Sequence, residues 1–110
     1  MDEVFEKEWK NALSKIEQTF GEDVDLQAAL FLIGVNELGK GRRRFTKDEK
    51  VQLLHIAVCK LLSDYGYYEF EGNDKDGWPH YQRNQKLPYL NAEDQEKLIK
   101  EAIINYMEAQ

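Results

Sequence analysis

His55 and Cys59 stand four residues apart in a run of helical periodicity, so they share one helix face. A thiol beside an imidazole is a nucleophile with its base, and the same pair is half of a zinc set. Zinc needs two further ligands; His80 is the one other histidine, and there is no second cysteine. The same spacing arises when a cysteine is simply packed as a small apolar residue. An enzyme or small-ligand site near His55, Cys59 and His80 is therefore the third reading. No metal, cofactor or catalytic residue is assigned.

Glu69, Glu71, Asp74 and Asp76 form the next constellation, a carboxylate group with the oxygen chemistry of a calcium loop. The register fails. With Gly77 as the invariant glycine, the first ligand position falls on Gly72 and the last, a bidentate Glu in that motif, on Arg83. An Asn/Asp/Gly turn accounts for the same letters.

Lys40, Arg42, Arg43 and Arg44, followed by Lys47 and Lys50, precede a helix start. Backbone amides and the helix dipole favour an anion there. The plainer account is a solvated loop that offsets an acidic chain and pairs with Glu37 or the first helix. Nucleic-acid or anion binding through Arg42, Arg43 and Arg44 is the second reading.

The elements that must carry these groups follow from periodicity. The fold expected is all-α or nearly so: one helical domain over residues 1–110, with helices at about 2–20, 25–38, 46–65 and 91–109 and an insertion at 66–90. Phe5, Trp9, Ala12, Leu13, Ile16 and Phe20 make one stripe of the first helix. Asp23 or Asp25 can cap the second, whose centre AALFLIGV is apolar nearly all round. Gly34 in that centre implies close approach of a neighbour. Thr46-Lys47-Asp48-Glu49 is a capping box. The third helix carries Val51, Leu54, Val58, Leu61, Leu62 and Tyr65 on its main face and Leu53 and Ile56 opposite, which motivates a homodimer. Gly66 should end it, with Tyr67 folding back. Asn91 caps the fourth helix, whose apolar face is Leu98, Ile99, Ala102, Ile103 and Tyr106, with Ile104 on the polar side.

The stretch Tyr65–Leu90 holds seven of thirteen aromatics and both prolines, too much for a passive linker. Its β-forming runs flank GNDKDG, which reads equally as a β-hairpin or an ordered irregular loop; Pro79 confines the second run to an edge. Pro88 ends the connection. Trp78 and Phe70 are expected to anchor the stretch inward, while Tyr67, Tyr68, His80 and Tyr81, with Trp78, are the candidate partner-binding residues.

Three helices and a hairpin-like stretch also resemble, in order of elements, a winged helix-turn-helix. The apolar third helix and the acidic would-be wing argue against nucleic acid as the partner. The formal charge of −6 does the same on average and disfavours anionic membranes.

Length and a hydrophobic content of 42% suffice for a core without disulfides. A single cysteine and an acidic N-terminus, MDEVFEKEW, where a secretory signal is positive, point to a cytoplasmic setting. The leading reading is a small non-enzymatic protein-interaction or adaptor module whose partner is another protein or itself.

Overall fold

A computed structural model describes residues 3–21, 23–41, 43–84 and 90–109, the side chain of Phe20 excepted. Among them are four helices, α1 (Glu3–Phe20), α2 (Leu26–Leu38), α3 (Lys47–Ser63) and α4 (Ala92–Glu108). Between α3 and α4 lies one antiparallel hairpin, β1 (Tyr68–Asn73) and β2 (Pro79–Arg83). The protein is mostly helical, with each helix within two residues of its expected bounds. Pro88 and Arg42 fall outside the described residues. No described helix is long and apolar enough to cross a membrane.

The chain divides into two compact units, Met1–Ala29 with Tyr89–Gln110, and Leu30–Pro88. In the first, α1 packs along α4. Ala12, Ile16, Ala102, Ile103 and Tyr106 are buried there, as the stripes require. Ile104 is buried as well, not on a solvated side. Successive helix residues are about 100° apart, so three consecutive buried residues mean that α4 is covered over a broad arc. At the end of α1 the Glu17 carboxylate accepts the Val24 N–H at 3.0 Å. Asp25 is the cap of α2, its carboxylate accepting the Ala28 N–H at 2.8 Å.

The second unit is built on α2 from Leu30 onward, α3 and the hairpin. Val35 and Leu38 of α2, Phe45 of the following loop and Leu53 of α3 form a buried cluster, with Phe31 and Trp78 packed on it. Phe31 and Phe45 meet edge to face, centroids 6.0 Å apart. Leu53, Ile56, Ala57, Cys59, Leu61 and Leu62 of α3 are buried. Leu53 and Ile56, the second apolar side of α3 that motivates a homodimer, are thus buried within the chain. Val51, expected on the main apolar face, is 61% exposed. It lies in the first turn and a half, beyond the part of that face that the rest of the chain covers.

The capping box at Thr46 forms in full. Its hydroxyl accepts the Glu49 N–H at 3.1 Å, and the Glu49 carboxylate accepts the Thr46 N–H at 2.8 Å. At the other end of α3 the Tyr67 N–H donates to the Leu62 carbonyl at 3.2 Å. That bond turns the chain back over the helix and launches β1 alongside it.

Candidate functional site

The hairpin turn is organised by one side chain. Asp74 Oδ1 accepts the N–H groups of Asp76 at 2.9 Å and Trp78 at 3.0 Å, and Oδ2 meets His80 Nε2 at 2.9 Å. The Asp74 N–H donates to the Trp78 carbonyl at 2.9 Å, closing the loop. Asp and Asn turn chains in this way because a short carboxylate reaches backbone donors two to four residues on. The donors hold the Asp74 carboxyl below its ordinary range, the His80 bond first, then the Trp78 amide. Gly77 takes φ +86°, a conformation costly for other residues. These local bonds decide the stretch in favour of a hairpin.

Lys40, from the loop after α2, lies across this turn. Its ammonium donates to the Asp76 carbonyl, and its stem runs over Gly77. Of the four carboxylates, that of Asp74 builds the turn. Among the described residues no three His, Cys, Asp or Glu side chains converge on a metal position.

Tyr68 pairs with Arg83, Glu69 with Gln82 and Phe70 with Tyr81; the register then shifts, and Gly72 faces His80. Glu71 is the extra residue of a bulge. Phe70 and Tyr81 share one sheet face and meet edge to face at 5.5 Å. In front of them opens a cleft of about 360 Å³ lined by Glu37 of α2, Lys60 and Ser63 of α3, and Phe70, Asn73, Pro79 and Tyr81. The Tyr81 hydroxyl is pushed up to about 12, by burial first and then by the negative charge of Glu37. The cleft is thus aromatic at its mouth, with the Glu37 carboxylate and the Lys60 ammonium on its helical wall.

The candidate partner-binding residues separate. Trp78 packs inward on the core cluster. Tyr67 and Tyr68 are half-buried, and His80 is exposed but bonded to Asp74. Tyr81 reaches the cleft. Phe70, expected inward, is 54% exposed. It does occupy the inner sheet face, but the cleft in front leaves its ring open to water. Phe70, Glu37 and Lys60 are the site residues that sequence reasoning missed. The register puts Phe70 on one face with Tyr81, and no local signal in the sequence gave its depth.

The basic loop divides too. Arg42 lies outside the described residues. Arg43 bonds Glu49 at 3.1 Å and stacks on Phe45, its guanidinium carbon 4.6 Å from the ring centroid. Arg44 is exposed. Lys40 and Arg43 thus serve internal contacts, though Arg43 stays exposed like Arg44.

Cys59 is fully buried, and its Sγ lies 3.4 Å from Nε2 of exposed His55. Burial pushes the thiol up to about 11. A nucleophilic thiol needs the opposite shift and access to substrate. His80 belongs instead to the Asp74 turn.

No family model, curated protein or solved structure matches this chain.

Proposed function

We propose that this protein is a non-enzymatic interaction module whose hairpin cleft holds a basic partner segment with an apolar anchor residue. The observation that carries the reading is Phe70, a large apolar ring 54% exposed at the mouth of a cleft. Aromatic side chains at the centre of a concave patch are where interface energy concentrates. The stretch from Asp64 to Asp76 carries Asp64, Glu69, Glu71, Asp74 and Asp76 against Lys75 alone. That excess favours Lys or Arg on the partner and repels phosphate. A binding role also fits the covered Cys59, whose thiol stays protonated at neutral pH. A cytoplasmic setting goes with this reading, since Cys59 is a free thiol.

The test is selection of random peptides on the immobilised protein, followed by affinity measurement on the winners. Enrichment of Lys or Arg beside an aliphatic or aromatic residue is expected. Phe70→Ala should then weaken binding by about tenfold or more while the protein stays folded, the lost Tyr81 contact costing about 1 kcal/mol of stability. Equal binding by the Phe70→Ala variant, or no enrichment over a blank surface, would refute the proposal.

A further inference from the structure

The phase of the hairpin ladder determines which backbone groups are open. Asn84 N–H donates to the Tyr67 carbonyl at 3.0 Å at one end, and Asp74 N–H to the Trp78 carbonyl at 2.9 Å at the other. In an antiparallel pair, bonded and non-bonded positions alternate. Counting from the open end, Glu69/Gln82 is bonded, while Tyr68/Arg83 and Phe70/Tyr81 are not. Counting from the turn, Gly72/His80 is bonded and Asn73/Pro79 is not. The two counts agree because Glu71 is absorbed in the bulge.

The N–H and C=O groups of Tyr68, Phe70 and Asn73 therefore point out of the ladder on β1, as do those of Tyr81 and Arg83 on β2. Pro79 has no N–H to offer. The sheet has two strands, and among the described residues nothing pairs with the outward groups of Tyr68 or Phe70.

We infer that the outer edge of β1, over Tyr68–Phe70, takes an extended partner segment by strand addition, and that this segment alternates basic and aliphatic residues. The inference rests on the interaction reading above and supplies its geometry. A strand laid beside β1 sits about 4.8 Å away, with its side chains in step with those of β1. Phe70 is on the cleft face, and Glu69 and Glu71 flank it in sequence. The residue added beside Phe70 then packs on its ring over the cleft. The neighbour beside Glu69 is placed for lysine or arginine to complete a cross-strand ion pair, and Glu71 in the bulge adds its charge at the far end of this short edge. The β2 edge is the poorer acceptor: Pro79 removes a donor and Arg83 repels a basic segment.

The probe is a capped, fluorescent heptapeptide alternating lysine and isoleucine, compared with one N-methylated at its isoleucines and one at its lysines. Only one set of its amides faces β1, so one methylated peptide should lose about tenfold or more in affinity while the other binds like the parent. With the parent bound, amide exchange at Tyr68 and Phe70 should slow by about tenfold or more. If the parent binds but both methylated peptides match it, or both weaken alike, or exchange at Tyr68 and Phe70 is unchanged, strand addition is refuted while the interaction reading stands. If the parent does not bind at millimolar concentration, while selected peptides bind in a Phe70-dependent way, the basic–aliphatic alternation is wrong. Failure of every peptide removes both.

Discussion

Gly34 of α2 lies directly against the backbone of Leu53 in α3. A Cβ built at Gly34 would sit 2.8 Å from the Leu53 carbonyl carbon and 3.1 Å from its Cβ, closer than side chains approach. Glycine here is a packing requirement, kept against a helix-propensity cost of about 1 kcal/mol. Gly34→Ala should therefore destabilise the protein, by about 1–3 kcal/mol from overpacking less what propensity returns. Urea unfolding checks this, and a higher midpoint would contradict the close approach.

The capping box at Thr46 makes a separable contribution. Thr46→Ala should cost about 1 kcal/mol, read in the same unfolding assay. Glu49 provides a pH signature. The Thr46 N–H first, then Arg43, hold its carboxyl below the ordinary glutamate range. A depressed carboxylate stabilises above its unfolded pKa of about 4.3 and loses that contribution as pH falls through its folded value. Arg43→Ala should raise the Glu49 pKa in carboxyl-detected NMR, though less than loss of the Thr46 amide bond would.

His80 is the first cause of the low Asp74 pKa. His80→Ala should raise the Asp74 pKa toward that of an ordinary aspartate, with the Trp78 and Asp76 amides keeping part of the depression. The stabilisation that Asp74 gives is present above its unfolded pKa of about 3.9 and disappears on acidification through the folded value. An NMR titration in which Asp74 is indifferent to His80→Ala would contradict the arrangement of the turn.

Cys59 should be inert in the native protein. A chromogenic disulfide reagent at pH 8 should label it only at the rate of unfolding, because the thiol is covered and its pKa is about 11. The raised pKa also sets a sign. Its stabilisation is intact below the unfolded thiol pKa of about 8.5 and is lost as pH rises through about 11. Immediate labelling of the native protein would overturn this.

The helices were legible because apolar spacing and caps are local signals. Thr46 with Glu49, and Asn91, name their own roles from adjacent letters. Asn91 accepts the Asp94 N–H at 2.8 Å. The hairpin was half legible. NDKDG marked a turn, but Pro79 blurred the second strand, and only the several bonds to Asp74 fix the pairing. Depth was the quantity least visible. Phe70 and Ile104 were each misjudged because exposure depends on what other segments cover, which periodicity within one segment does not record. Of the candidate site, Tyr81 was named in advance, while its neighbours Glu37 and Lys60 come from helices remote in sequence.

Lys40 joins the loop after α2 to the hairpin. Its ammonium engages a carbonyl 36 residues away, at the tip of the hairpin. An isolated two-stranded hairpin is marginal in water, so the tip would otherwise be the first part to fray. The tie to the loop after α2 works against that fraying, beside the Asp74 bonds and the packing of Trp78. The turn and the loop should therefore exchange their amide hydrogens as one cooperative unit, and a charge-removing change at Lys40 should uncouple them.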